Sequence, residues 1–193
     1  CVRVVSAVSA AIRANWLLPL SITLPPSAPE PETTPMSQAV ATRDEASEVL
    51  TALLIPLADR QLLLPNTAVA ELIAYRPPIT SDGMPDWFLG QIAWRDLSLP
   101  LLSFELASGG SQPPREDVRV AVLNAIGGRP LLKFIALLVQ GIPHAQKVSS
   151  DLPRADLALA PLELDAVQLG EQVARIPDLL ALEQLLADAG LIE

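Results

Sequence analysis

Apolar and polar residues alternate in short runs along most of the chain after residue 48. The clearest run is 87–95, which carries Phe88, Gly90, Ile92 and Trp94 on one face and Leu89, Gln91, Ala93 and Arg95 on the other. A period of two places neighbouring side chains on opposite sides of the backbone, as in a β-strand with two different faces. This run therefore predicts a strand.

Other runs of strand length, most of them bounded by turn residues, have the same interpretation. They are 49–57, 61–65, 67–74, 97–106, 118–122, 131–139, 151–164, 167–169 and 172–176. Run 131–139 is apolar on both faces, which suits a central strand or a buried helix, and the preceding Gly127-Gly128 favours a tight hairpin and hence a strand. The phase of run 97–106 slips after Pro100, which predicts a bulge or a barrel corner.

Two interruptions and one helical stripe complete the pattern. Tyr75-Arg76-Pro77-Pro78 ends regular structure and opens a loop over 77–86, since proline lacks the N–H group and restricts the residue before it. Asp178 begins a helix whose apolar stripe is Leu179, Leu182, Leu185, Leu186 and Ala189, with Gly190 after its end. Nine or ten short strands with one terminal helix predict a β-sandwich or β-barrel.

Residues 1–47 differ in composition from the rest of the chain. Residues 1–35 hold six of the 19 prolines, and their four charges cancel. The apolar stretch 14–24 is shorter than the about 20 residues of a membrane-spanning helix, and Arg13 splits the apolar middle that a signal peptide needs. We expect 1–47 to be a disordered leader, with Met36 as the true start of translation.

The charge and the rarity of reactive residues exclude several function classes. The formal net charge is −9, which argues against nucleic-acid binding because phosphate contacts require clustered Lys and Arg. One cysteine, Cys1, and one histidine, His144, leave no disulfide framework and no Cys/His metal site. We expect no catalytic residues, no cofactor and no metal, and we interpret the acidic region 151–193 as a solvated surface.

One ordered series of residues carries specific information. Within 85–102, Pro85, Gly90, Ile92, Arg95 and Pro100 resemble, in type and spacing, the signature of CheW-like chemosensory adaptor domains. Upstream, 69–73 resembles the Val-x-Glu-Val-Ile segment of that family and places Glu71 24 residues before Arg95. The resemblance covers about residues 48–190. The sequence departs from the family at Asp96, where the family has glycine, and at Ser103, where an acid is common.

The resemblance implies a fold and a role. The fold is mainly β, with two small five-stranded β-barrel-like subdomains over 48–190, a break between the lobes near 107–117 and a short C-terminal helix. The role is that of a non-enzymatic cytoplasmic adaptor that couples a methyl-accepting chemoreceptor to a CheA-type histidine kinase. The acidic, Ala- and Pro-rich composition further resembles ChpC-type adaptors of type IV pilus twitching systems. Neither a nucleic-acid partner nor direct membrane insertion is expected.

Candidate site residues come from the same resemblance. Glu71 and Arg95 are expected to pair, either to bind a partner or to fix the geometry of the lobes; the alternative is that each is a solvated surface charge. Interface candidates are Leu89, Gly90, Leu97 and Leu99. Among the aromatic residues, Trp87, Phe88 and Trp94 are expected in the core, and any that is exposed is expected at an interface.

Two other functions remain open from the residues alone. One is a β-barrel that binds a small apolar ligand, or a hydrolase working through serine or aspartate, which would require a deep pocket with convergent polar groups. The single histidine weakens the hydrolase version. The other is an adaptor that lacks kinase coupling and modulates array assembly. This alternative stays open because Asp96 stands where the family has glycine.

Overall fold

Ten strands and two helices account for most of the residues that the structure describes. The structure is a computed structural model that describes residues 49–111, 113–114, 116–149 and 151–192. The predicted leader 1–47 and the start at Met36 lie outside these residues. The strands are β1 Val49–Pro56, β2 Gln61–Pro65, β3 Val69–Ala74, β4 Phe88–Trp94, β5 Leu97–Leu102, β6 Val118–Asn124, β7 Phe134–Gln140, β8 His144–Ser149, β9 Glu163–Leu169 and β10 Gln172–Pro177. The helices are α1 Phe104–Ala107 and α2 Leu179–Asp188, and Asn66–Ala68 form a 3-10 turn.

The strands form two five-stranded sheets that share one topology. Sheet A has the order β8-β1-β2-β10-β9, and sheet B has the order β3-β6-β7-β5-β4. The strands β8, β9, β10, β1 and β2 of sheet A occupy the same places as β3, β4, β5, β6 and β7 of sheet B, in that order. Each sheet also holds one parallel pair, β10 with β2 and β5 with β7. The two subdomains are therefore circular permutations of one another, and the predicted mainly β fold of two five-stranded units is confirmed.

In sheet B, part of the loop between β3 and β4 covers the free edge of β4. In sheet A, part of the loop between β8 and β9 covers the free edge of β9. Ile79 exchanges two backbone hydrogen bonds with Gln91 of β4, each 2.8 Å long. In sheet A, Ala155 N donates to Ala166 O at 2.9 Å, and Gln168 N donates to Pro153 O at 2.8 Å. These bonds satisfy backbone groups along β4 and β9, so neither of these edge strands is fully exposed to pairing.

The apolar residues form two barrel interiors and one core shared by both sheets. Sheet B encloses one cluster of seven buried residues: Ile92, Trp94, Leu99, Leu101, Val120, Val122 and Ala136. Sheet A encloses a second cluster of six: Ala52, Leu54, Leu63, Val148, Val167 and Ala174. The largest cluster lies between the sheets and includes Ile55 and Leu62 of sheet A, Leu123 and Leu137 of sheet B, and Leu182 of α2. Strands such as β7 are apolar on both faces because each face borders a different core.

The terminal helix and the last hairpin match their predicted signals. Asp178 Oδ1 accepts a hydrogen bond from Ala181 N at 2.9 Å, as an N-cap residue does. Gly170-Glu171 connects β9 and β10 as a two-residue turn, with Gly170 at φ 61°. Within the described residues, neither helix has the length and apolar character needed to cross a bilayer.

In the C-terminal half, one strand prediction is wrong and one strand is missing from the predictions. Run 151–164 is mostly irregular, because 153–155 serve as the edge cover of β9 and alternation of Leu with Ala also suits such an extended segment. The missing strand is β8, which starts at His144. Its exposed polar residues pair with β1 through backbone bonds, so no apolar pattern marks it.

Three expectations around sheet B also differ. The predicted bulge at Pro100 lies instead at Leu89 of β4, and β5 ends at Leu102 before α1. Strands β5 and β6, which precede and follow 107–117 in the chain, belong to the same sheet, so the predicted break between the lobes does not lie there. The β6–β7 connection spans residues 125–133 rather than Gly127-Gly128 alone, since Glu183 of α2 binds Ile126 and Gly127 there.

Candidate functional site

The two edges of sheet B meet in a surface depression of about 250 Å³. One wall belongs to β3 and the residues after it, and the other belongs to the end of β4. The lining residues are Glu71, Ile73, Ala74, Arg76, Ala93, Trp94 and Arg95. The seam of the barrel, where no backbone ladder joins β3 to β4, thus carries both residues of the predicted pair.

Trp94 connects the seam to the interior of the barrel. Its side chain is buried and meets Phe134 edge-on, with ring centroids 4.8 Å apart. Its Nε1 donates a hydrogen bond of 3.0 Å to Oε2 of Glu71. A buried indole N–H left unpaired would cost about 1–3 kcal/mol, so Glu71 closes the seam as well as carrying a charge.

Arg95 occupies the first position of the two-residue turn between β4 and β5. Its φ is 51°, in the left-handed region that a residue with a Cβ enters at a cost of about 1 kcal/mol. The equivalent position in sheet A is Gly170, at φ 61°. The left-handed backbone falls on Arg95 and not on Asp96, so the aspartate in place of the family's glycine creates no such strain at its own position.

The guanidinium of Arg95 is displayed rather than buried. Its Nη2 lies 3.1 Å from Oε2 of Glu71, and its side chain is 69% exposed against 41% for the glutamate. The guanidinium carbon also lies 4.4 Å from the centroid of the Trp94 ring. The structure therefore brings together the predicted pair and adds Trp94 as a third member. The sequence hint is its place directly before Arg95, but alternation alone assigns it to the core.

The interface candidates divide between surface and core. Leu97 is 43% exposed beside the turn, and Leu89 is half-buried against the barrel interior. Leu99 is only 4% exposed and belongs to the cluster inside sheet B, so it does not lie on the surface. Trp87 is half-buried, whereas Phe88 and Trp94 are buried as expected for core residues.

Gly90 acts through its backbone. Its φ is +125°, and a Cβ at this position would overlap the carbonyl oxygen of Ile79 and approach Pro78 Cβ at 3.0 Å. The glycine therefore permits the 78–79 segment to lie against β4 and cover its edge. This close approach explains the glycine in the matched series without any contact to a partner.

Residues relevant to a hydrolase or a metal site lie apart. His144 is exposed at the start of β8 in sheet A, while Ser103 and Ser108 are buried and bond to Glu105 of α1. Among the described residues, no group of three or more His, Cys, Asp or Glu side chains is arranged to hold a metal ion. These positions give no support to the hydrolase alternative.

Comparison with known families agrees with the fold. The family model described as the CheW-like domain matches residues 51–186. This range contains both sheets nearly complete, together with Glu71, Gly90 and Arg95. No curated protein sequence matches the chain significantly.

A solved structure shows the same fold. The crystal structure of the scaffolding protein TtCheW from Thermoanaerobacter tengcongensis is similar to this chain with a TM-score of 0.57 and 14% sequence identity. The similarity covers 69% of this chain and 87% of that chain. At this identity the likeness concerns the fold, and the family model supplies the assignment.

Proposed function

Because the chain belongs to the CheW-like domain family, we propose that it is an adaptor that joins a methyl-accepting chemoreceptor to a CheA-type histidine kinase. Membership of this family supports a chemotaxis adaptor role, and the family is one of scaffolds rather than enzymes. The proposal places the chain in the cytoplasm with no catalytic step of its own.

The observation that carries the proposal is the arginine at the apex of the β4–β5 turn. Arg95 holds a backbone conformation that suits glycine, and the equivalent turn of sheet A uses Gly170. Its side chain is 69% exposed beside Glu71 and stacks on Trp94. A strained residue with a displayed, oriented charge points to a role for the side chain, since its contribution to folding is small.

The mechanism is thermodynamic coupling. When a kinase and a receptor bind different surfaces of one rigid adaptor, binding of one changes the free energy with which the other binds. Leu97 lies beside Arg95 on the β4–β5 hairpin and would add apolar contact to a polar anchor. The half-buried Leu89 lies at the opposite end of β4. Control of type IV pilus twitching, rather than flagellar motility, is the further proposal that the ChpC-like composition supports.

Charge exchange at the seam tests the proposal. We expect R95E and E71R each to reduce capture of the kinase or the receptor in a pull-down with both purified partners from the same organism. The double variant E71R/R95E should restore part of the capture, because the charges attract in reversed order although an arginine at position 71 cannot accept from Trp94 Nε1. Single losses without rescue would show that the pair is not the functional unit, provided that circular dichroism shows all variants folded.

The same pull-down separates the remaining alternatives. Capture of the receptor and the kinase together supports the full adaptor. Capture of the receptor alone supports the adaptor without kinase coupling. Failure with every chemosensory kinase and receptor of the organism would overturn the proposal.

A further inference from the structure

Two glutamates are buried in the helices although neither has an ionic partner among the described residues. Glu105 of α1 and Glu183 of α2 are each 1% exposed. Burial of an ionised carboxylate is unfavourable unless hydrogen bonds replace its water. The hydrogen-bond donors that replace water therefore identify the segment of the chain that each carboxylate binds.

Glu183 binds the loop between β6 and β7. Its Oε1 accepts from Ile126 N at 2.6 Å and from Gly127 N at 3.0 Å, and its Oε2 accepts from Gly127 N at 3.0 Å. A Cβ at Gly127 would overlap Oε2 of Glu183. The loop and the carboxylate thus fit closely, with two backbone N–H groups directed at one side chain.

Glu105 binds the loop between β1 and β2. Its Oε1 accepts from Ala58 N at 3.2 Å, and its Oε2 accepts from the hydroxyl of Ser103 at 2.9 Å. Gly110, just after α1, lies so close that a Cβ there would be 3.2 Å from Asp59 Oδ2 in the same loop.

The two contacts are equivalent under the permutation that relates the sheets. Helix α1 comes after β5 of sheet B, and its glutamate holds the hairpin loop of sheet A. Helix α2 comes after β10 of sheet A, and its glutamate holds the hairpin loop of sheet B. The helix that follows each sheet therefore places one carboxylate against the hairpin loop of the other sheet.

We propose that Glu105 and Glu183 form a reciprocal latch between the sheets, in which opening of either contact promotes opening of the other. The link between them is the shared core. Leu57 and Phe104 beside one contact belong to the same buried cluster as Leu132, Leu179 and Leu182 beside the other. Separation of the sheets at one contact loosens the apolar layer on which the other rests.

The two latch contacts differ in how they tolerate an amide. In E105Q, the amide oxygen can accept from Ala58 N while the amide nitrogen donates to Ser103, whose hydroxyl can act as donor or acceptor. In E183Q, the amide oxygen can replace Oε1 and still accept from Ile126 N, but the amide nitrogen then faces Gly127 N, and two donors meet there. E183Q therefore weakens its contact at Gly127, whereas E105Q retains most of its own.

Amide hydrogen exchange on the full chain, monitored by NMR, tests the latch without any partner. We expect E183Q to raise exchange about 10-fold or more at Gly127, and about 3-fold or more at Ala58 in the other sheet. Amides inside the ladders, such as Val122 and Val167, should keep their protection. E171Q, which makes the same charge change at the exposed β9–β10 turn, is the matched control and should change none of these rates.

Variants on the opposite side test reciprocity. E105Q should alter exchange at Ala58 less than 3-fold, because the amide keeps both bonds. S103A removes the hydroxyl bond and should raise exchange at Ala58 and, through the latch, at Gly127; it also serves if E183Q does not fold. A rise at Gly127 with none at Ala58 in E183Q, or the reverse in S103A, would overturn the reciprocal latch and leave the adaptor proposal untouched.

Discussion

Arg95, at the apex of the β4–β5 hairpin, has a left-handed backbone conformation, and glycine occupies the equivalent position of the β9–β10 hairpin. Arg95 lies at φ 51°, and Gly170 lies at φ 61°. The strain of about 1 kcal/mol at Arg95 is similar in size to what an exposed ion pair and a cation–π contact return. The side chain at this position therefore has little net effect on folding.

The variant R95G separates stability from binding at this position. We expect its free energy of unfolding to stay within about 1 kcal/mol of the wild type, because released strain offsets the lost contacts. Its capture of receptor or kinase should fall as it does for R95E. Urea unfolding and the pull-down measure the two quantities. R154A removes a 59% exposed, ion-paired arginine from sheet A and should leave capture unchanged.

Gly90 offers a contrasting case in which the backbone is the reason for the residue. In G90A, the new Cβ would overlap the Ile79 carbonyl at a φ of +125°, so we expect a loss of about 2 kcal/mol or more. G83A is the matched control, since Gly83 also has a positive φ, +80°, but open space around it. Equal losses of unfolding free energy in both variants would show that the close approach at Gly90 is not needed.

At the scale of elements, a buried charge cluster ties the β1–β2 loop to β9. Glu163 at the start of β9 has a fully buried side chain, and it accepts from Arg60 at 2.6 Å while Arg175 lies 3.3 Å away. Arg60 also bonds to Asp59, and this hydrogen bond holds the pKa of Asp59 below its usual range. Arg60 is therefore the centre of the cluster.

Removal of Arg60 should be costly at neutral pH. In R60M, Glu163 loses its shorter ion pair in a buried setting, so we expect a loss of about 3 kcal/mol in urea unfolding. R119M, which removes an exposed arginine from β6, should change stability by less than about 0.5 kcal/mol. A loss in R60M no larger than in R119M would contradict the central place of Arg60.

The acid dependence of stability gives a second measurement on the same variant. A lowered folded-state pKa stabilises the fold above the ordinary pKa of aspartate, about 3.9, and this contribution disappears as pH falls through the lowered value. The Asp59 contribution depends on Arg60. Stability measured from pH 5 downward should therefore fall less steeply in R60M than in the wild type.

The sequence predicts elements well where burial marks them and poorly where it does not. Alternation locates β4, and turn residues locate the hairpin at Gly170-Glu171, because local chemistry determines both. Strand β8 carries no such mark, because its pairing uses backbone groups beneath exposed polar side chains. The β6–β7 loop differs from its prediction because its conformation depends on Glu183, 56 residues away from Gly127.

The site shows the same limit. Spacing within a resemblance places Glu71 with Arg95, and the structure confirms their contact. The hydrogen bond from Trp94 to Glu71 closes a seam between strands that are not neighbours in the ladder, so only the curvature of the sheet produces it. Leu99 was wrongly expected at an interface because a single strand pattern cannot show which face another strand will cover.

At the scale of the whole molecule, the shared core makes the two sheets one folding unit. Leu182 of α2 is fully buried in this core, which includes residues of both sheets. L182A should lower the free energy of unfolding by about 2–5 kcal/mol. L180A, on the same helix with Leu180 54% exposed, should lower it far less.

The form of the transition tests the unity of the fold. Far-UV circular dichroism reports both sheets, and in a W16F background the fluorescence of Trp87 and Trp94, at the two ends of β4, reports sheet B. We expect one coincident transition in the wild type and in L182A. Two separated transitions would show that the sheets unfold independently in spite of the core between them.

The adaptor account depends most directly on whether this chain physically joins a receptor to a kinase. The decisive measurement is size-exclusion chromatography of the purified chain mixed with a chemoreceptor signalling fragment and a CheA-type kinase from the same organism. We expect one complex that contains all three proteins and that fails to form when the chain is omitted or replaced by R95E. Receptor and kinase that associate equally without the chain, or a chain that elutes alone from every such mixture, would contradict it.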